Sequence, residues 1–356
     1  HKDNFSSTGI FYDKYFDFSS KDKNFAWFLI SLDNKLPKVI DNNIVILKKK
    51  NSKSFSIFFL VKFICKNIML NFFSLSKIYH YTNSMNAYSF QVKNLFKSFL
   101  INKEIKKFLI NYEGIPFQNR LIKEIKKINL KNIVFCYLHC APWPLQLDLL
   151  YKKNKMIDKF FVSGRDQKEK LIKYLEWPKK KISFIPSLRF KKKSFLEYAG
   201  FIFIPYTLEN SHMYMKRFEI FLKNSKDWSL HKLKLRVHPL NKNSKIHIKF
   251  VKDLQDTLKK YKRKFHSRLK IDSSIIFGSA TGVCTQSLEY GIKVLHFPKD
   301  ESLDVYSNKI WPNIIVTKEG EKIYTYKIRK INRGKMFNEV NCNNRFKKYL
   351  QRHLGF

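Results

Sequence analysis

From residue 132 onward, short apolar runs alternate with amphipathic stretches, and this alternation limits what the chain can fold into more than any other feature. NIVFCYLH (132–139) is a continuous apolar run of the kind found in buried parallel strands. KFFVSGRDQKEKLIKYLEW (159–177) reads as strand, glycine-containing turn and helix, and ISFIPSLRF (182–190) as another short strand. After KKKSFLEY (191–198), which reads as an interdomain linker, a second series begins. GFIFIPYT (200–207) is a strand, HMYMKRFEIFLKN (212–224) a helix, KLKLRVHP (232–239) a strand and KFVKDLQDTLKKY (249–261) a helix. SSIIFGSATGVCTQSLEYGIKVLHF (273–297) is strand, turn, helix and strand. Strands alternating with helices predict parallel sheets covered by helices, an α/β class with two doubly wound halves in series.

Length agrees with two domains, because 356 residues exceed one ordinary core. The expected division is 1–195, an N-terminal Rossmann-like domain, 196–335, a C-terminal Rossmann-like domain, and 336–356, a helical tail (RFKKYLQRHLGF) packing back on the first. Upstream, NIVILKKK (43–50) reads as a strand and residues 86–110 as helical. FQNRLIKEIKKIN (117–129) reads as an amphipathic helix, with Leu121, Ile122, Ile125 and Ile128 on one face. FSIFFLVKFICKNIMLNFFSL (55–75) is the most apolar stretch. Lys62 and Lys66 interrupt it on one helical face, so it reads as a buried or interfacial helix and not a membrane span. The chain opens on His1, which leaves room for a leader ahead of it.

The net charge of +42 suits nucleic acid or an anionic membrane surface. Abundant Lys, Asn, Ile, Phe and Tyr all have A/T-rich codons, and the lysines are spread along the whole chain. No zinc-finger spacing, RNP-like aromatic motif or basic-region heptad is present. An anionic membrane surface is therefore the expected partner and nucleic acid is not. Five cysteines, with no pairing pattern, point to reduced thiols in a cytosolic compartment. Cys136, His139 and Cys140 lie close together, but no second Cys/His pair has finger-like spacing, so no metal is expected.

Ligands of open parallel sheets bind outside the carboxyl ends of the strands. Three segments fall there in the second half: His238-Pro239, Gly278-Ser279-Ala280-Thr281-Gly282, and the turn containing Glu209 and Ser211. In GSATG the small residues let backbone approach an anion, and the following helix points N–H groups at it. A tight, capped turn explains the same residues. The segment is not a P-loop. Pro239 holds His238 extended at the strand's mouth, beside GSATG if the two strands are neighbours, where the imidazole would meet a phosphate or protonate a leaving group. In the first half, YEGIP places Glu113 before Gly114, with Pro116 opening a helix. Glu113 would be a base or nucleophile facing a cleft, or an ordinary acid near a helix N-terminus.

Taken together, Glu113-Gly114, His238-Pro239 and Ser279 with Thr281 resemble the motifs of bacterial GT-B glycosyltransferases that use CMP-activated sugars, the CMP-sialic acid and CMP-Kdo transferases. The resemblance spans most of residues 110–300. It implies two Rossmann-like domains facing a cleft, with Glu113 as the catalytic carboxylate and His238 on the CMP phosphate, assisting its departure. Ser279 and Thr281 would hold the same phosphate, with Pro239, Gly278, Gly282 and Gln286 completing the donor site. His139, Gly164, Glu209 and Ser211 are candidate acceptor or donor contacts. Neither cofactor nor metal is implied, since CMP carries one phosphate. The implied activity is transfer of a Kdo-like or nonulosonic acid to a bacterial surface glycan, at the cytoplasmic face of the inner membrane. Two departures stand out. Tyr112 occupies the place of a second acid, and Gln286 that of the glutamate with which UDP- and GDP-sugar enzymes hold the ribose. A UDP-sugar transferase, a CDP-polyol phosphotransferase and a basic nucleic-acid-binding protein are the alternatives.

Overall fold

The computed structural model describes residues 4–13, 18–22, 25–30, 37–47, 105–114, 116–138, 144–191, 198–224, 233–238, 241–261, 273–279, 282–329, 339–340, 348 and 351–354. The apolar stretch 55–75 lies outside them. Among the described residues, no helix is long and apolar enough to cross a membrane.

Near the start of the chain, β1 (Tyr12–Asp13) pairs antiparallel with β2 (Phe18–Ser19), and β3 (Trp27–Ile30) pairs parallel with β4 (Ile44–Leu47). Next come β5 (Lys107–Tyr112), α1 (Pro116–Ile128), β6 (Ile133–Leu138), β7 (Lys159–Val162), α2 (Arg165–Tyr174) and β8 (Ile182–Phe184). Strands β5, β6, β7 and β8 form a four-stranded sheet in that order. The segment expected to be helical through residue 110 is therefore a strand at its end. KFLINY buries Phe108 and Tyr112, and so short an apolar run fits either period. ISFIPSLRF, expected as one strand, is two, because Pro186 separates β8 from β9 (Ser187–Lys191).

The second series is β10 (Phe201–Phe203), α3 (Ser211–Asn224), β11 (Lys234–Arg236), α4 (Lys245–Tyr261), β12 (Ser273–Phe277), α5 (Gly282–Glu289), β13 (Lys293–Phe297), α6 (Glu301–Asp304), β14 (Ile314–Gly320) and β15 (Ile323–Ile328). A short β16 (Glu339–Val340) pairs parallel with β9. The chain forms two compact units. One comprises His1–Tyr137, Asn154–Phe160 and Lys347–Phe356, the other Leu138–Lys153 and Phe161–Phe346.

In the first unit, α1 buries Leu121, Ile122 and Ile125, as its period predicts, while Ile128 at its end is exposed. Tyr112 is fully buried, edge-on to Phe160 at 5.7 Å, and its hydroxyl bonds Asn119 and Asn154. Lys126 pairs with Asp158 at 2.5 Å, and the same carboxylate accepts from the Val134 N–H. Lys107 donates to the carbonyl of Leu354 in the tail at 2.6 Å.

The second unit is built on a six-stranded sheet in the order β11-β10-β12-β13-β15-β14. β11, β10, β12 and β13 pair parallel, β15 runs antiparallel to β13, and β14 antiparallel to β15. One face carries α3 and α4, whose Phe218, Phe221, Phe250 and Leu254 pack on Ile275, Phe277 and Phe297. Phe277 and Phe297 stack across adjacent strands at 5.0 Å. The other face carries α5, with Cys284 and Leu288 against Ile276, Val294, Tyr306, Trp311 and Tyr326. Burial on both faces is why SSIIF and KVLHF read as continuous apolar runs. Each buried Phe contributes roughly 1.5–3 kcal/mol.

Candidate functional site

Because β10, β11, β12 and β13 run parallel, the residues after Phe203, Arg236, Phe277 and Phe297 emerge at one edge. The order reverses between β10 and β12: the chain leaves β10 for β11 on one side, then returns past it to β12. That reversal is the switch point at which open α/β sheets hold ligands. His238, Gly278, Ser279, Glu209 and Ser211, expected at strand ends, all belong to this edge.

At the switch point two loops touch. Gly278, buried and at φ +77, follows β12. A β-carbon placed on it would stand 3.0 Å from Cβ and 3.4 Å from Cγ of Pro205 in the loop after β10. The glycine is therefore required twice, by its left-handed conformation and by close approach. Its N–H donates to the Phe297 carbonyl at 2.8 Å, and its carbonyl lies 2.5 Å from Nε2 of His296. Ser279 is half-buried, and α5 begins at Gly282. Thr281 and Ala280 lie outside the described residues. Gln286, one turn into α5, is half-buried.

His238 is exposed, and its ring meets Tyr206 edge-on with centroids 5.1 Å apart. The condition that its strand neighbour that of GSATG does not hold. β10 lies between β11 and β12, so the loop Pro205–Tyr206 stands between His238 and Gly278 and touches both. That loop is pinned from behind. Asn241 Nδ2 donates to the Tyr206 carbonyl at 2.6 Å. Buried His247 lies with Nε2 3.1 Å from the Pro205 carbonyl and Nδ1 2.9 Å from the Ser244 hydroxyl. The same Nε2 lies 3.2 Å from Nδ2 of Asn241, so Asn241 and His247 meet behind the loop. Pro239 is outside the described residues.

Glu209 is exposed and paired with Lys299 of the loop after β13. That pair holds the lysine's pKa above its ordinary value through hydrogen bond and charge. Ser211 opens α3, after Asn210 at φ 57. In the same helix Arg217 donates to the Pro298 carbonyl at 3.0 Å. Tyr214, whose hydroxyl is 3.5 Å from the position of a Gly278 β-carbon, is pushed up to about 12 by burial, then by Asp304.

Glu113 lies in the first unit, half-buried after β5. Its N–H donates to Gln118 Oε1 at 2.9 Å, and Gln118 Nε2 donates to the Asn111 carbonyl at 2.7 Å. Gln118 is the third residue of α1 and reaches back as in a capping box. Gly114 follows at φ +82. Gly164 caps α2 in an extended conformation, and Gln167, again the third helical residue, accepts from the Ser163 N–H at 3.1 Å. Asp166 in the same turn is buried and accepts from Asn313 Nδ2 on both oxygens, at 2.8 and 2.9 Å. His139 lies outside the described residues. No group of three or more His, Cys, Asp or Glu placed to hold a metal occurs among the described residues. Burial pushes the Cys136 and Cys284 thiols up.

Sequence reading missed His296, Tyr326, Tyr206, Asn241 and His247. His296 carried a signal, being the one polar side chain inside the apolar run VLHF.

No protein-family model matches the chain, and no curated protein matches it. Among solved structures, it has a likeness to accessory secretory protein 1, 2 and 3 of Streptococcus pneumoniae, at 9% identity and a TM-score of 0.30. The likeness covers 74% of this chain and 49% of that one, so the chain spans about half the length of its neighbour. A likeness at that score says nothing of activity.

Proposed function

We propose that the protein is a glycosyltransferase that moves a Kdo-like or nonulosonic acid from a CMP donor to a bacterial surface glycan without a metal. The observation that carries this reading is the switch-point edge. A left-handed glycine with no room for a side chain precedes a hydroxyl and a helix N-terminus, and an exposed histidine stands one loop away. Small residues and helix N–H groups suit a phosphate, and an exposed imidazole at the same edge suits a leaving group that needs a proton.

In this reading Ser279 and Thr281 hold the phosphate, with Gly278 and Gly282 giving it room. The acceptor hydroxyl attacks the anomeric carbon as the bond to the phosphate oxygen breaks. Glu113 takes the hydroxyl proton, His238 protonates the departing CMP, and a single phosphate leaves no diphosphate for a metal to shield. The net charge of +42 would hold the protein at anionic headgroups on the cytoplasmic face of the inner membrane.

The test is incubation with CMP-Kdo and CMP-sialic acid plus a glycan acceptor in excess chelator. Acceptor-dependent release of CMP is expected, and no release from any CMP-sugar would sink the reading. Thermal stabilisation by UDP or CDP but not CMP would move the donor to a UDP-sugar or CDP-polyol. Oligonucleotide binding that exceeds equally basic controls at about 0.2 M salt would replace the enzyme with a nucleic-acid binder.

A further inference from the structure

We infer that His296 is a positioning residue for the phosphate turn, holding the Gly278–Ser279 peptide in the one orientation that receives an anion; this rests on the reading of that turn just given. His296 is fully buried in β13. Its Nε2 lies 2.5 Å from the Gly278 carbonyl and its Nδ1 2.9 Å from the Tyr326 hydroxyl. The carbonyl can only accept, so Nε2 carries the proton, Nδ1 accepts, and Tyr326 donates. The donors thus run one way, from the Tyr326 hydroxyl through His296 to the Gly278 carbonyl, and the carbonyl end cannot be reversed.

The consequence follows from the planarity of the peptide. No cis peptide occurs among the described residues. In a trans unit the C=O and the next N–H point in opposite directions. With the Gly278 carbonyl drawn inward onto His296, the Ser279 N–H is turned away from it. Glycine, unlike other residues, can rotate this unit at little steric penalty. Such a rotation would present the carbonyl's negative end to a phosphate. His296 removes that freedom. Burial lowers its pKa to about 4, so it stays neutral, in a single tautomer, at ordinary pH.

Calorimetric titration of CMP and of cytidine into the wild type, His296→Leu, His296→Gln and Tyr326→Phe tests this. His296→Leu removes the donor and should weaken CMP about tenfold while leaving cytidine within about twofold. His296→Gln keeps an amide donor and should recover most of the loss. Tyr326→Phe deletes one hydroxyl, frees the other tautomer, and should weaken CMP about threefold with the fold intact. Unchanged CMP binding in His296→Leu and Tyr326→Phe, or equal losses for CMP and cytidine, overturns the inference. If the wild type binds no CMP, the proposed activity fails, and titration with inorganic phosphate decides His296. Binding lost in the Leu variant and kept in the Gln variant supports it, whereas equal binding in all, or none in any, overturns it.

Discussion

A β-carbon on Gly278 would stand 3.0 Å from the β-carbon of Pro205, so the loops that follow β12 and β10 meet with no room for a side chain between them. Gly278→Ala would put that carbon against proline, whose ring cannot rotate aside, at a φ of +77 that L residues rarely adopt. The expected result is a loss of roughly 1–3 kcal/mol in urea unfolding. Anion binding should fall further than stability does, because the loops must part at the edge where the phosphate would lie.

His238 stands on the opposite side of the same loop, edge-on to Tyr206. It is exposed, so His238→Ala should leave the unfolding free energy within about 0.5 kcal/mol. Turnover with a CMP-sugar should nevertheless fall about 100-fold or more. Tyr206→Ala removes the surface against which the imidazole rests. It should lower turnover less than His238→Ala, and steady-state rates for the two variants side by side decide the order.

How much of this edge could be read from residues alone differs from element to element. SSIIF and KVLHF gave themselves away, because a strand buried on both faces carries apolar residues at successive positions, here IIF and VL-F around the buried His296. GSATG and His238-Pro239 were visible as strand-end motifs, but their spacing was not. Strand order is a property of the crossovers, and no residue of KLKLRVHP states that GFIFIP inserts between it and SSIIF. KFLINY was misjudged because six residues carry too little periodicity to separate strand from helix. The hairpin of β14 and β15 went unread because its signals are weak. Its first arm, IIVTKEG, opens on three successive apolar residues instead of an alternation, and the left-handed residue of its turn is Lys322, at φ 52, where a glycine or asparagine would have marked it. The carbonyl held by His296 was beyond reach, since it depends on a pairing register between β12 and β13.

Glu113 depends on Gln118, whose amide bonds the Glu113 N–H and the Asn111 carbonyl together. Gln118→Leu would keep the volume and strand both partners in a site where Gln118 is 5% exposed. A loss of about 1–3 kcal/mol in stability is expected. Glu113→Gln removes only the charge of the carboxyl. It should leave the melting temperature unchanged while turnover falls about 100-fold. Near-normal turnover in Glu113→Gln would move the base to another carboxylate or to His139.

His296 also gives folding a pH dependence whose sign can be worked out. Burial lowers its folded pKa to about 4, against 6.5 for the unperturbed group, with the Gly278 carbonyl and Asp304 opposing that fall. Between these values the unfolded chain binds a proton that the folded one refuses, so stability rises with pH across the window. The contribution is fully present above about pH 6.5 and drains away as pH falls toward about 4, amounting to roughly 3 kcal/mol over the whole interval. The groups that act on this ring from neighbouring elements are Tyr326 on β15 and Asp304 of α6, with Tyr306 and Cys284 of α5 packed in the same cluster as Tyr326. The tyrosine and thiol pKa values are raised, so neither type titrates in the window. Urea unfolding of the wild type and His296→Gln at about pH 7 and about pH 5 isolates the effect. The wild type should lose more stability than the variant between the two conditions, and equal losses would show that the ring is protonated in the fold. Protonation would leave the Nε2–H on the Gly278 carbonyl and make Nδ1 a donor as well, so the Tyr326 hydroxyl would have to turn from donor to acceptor.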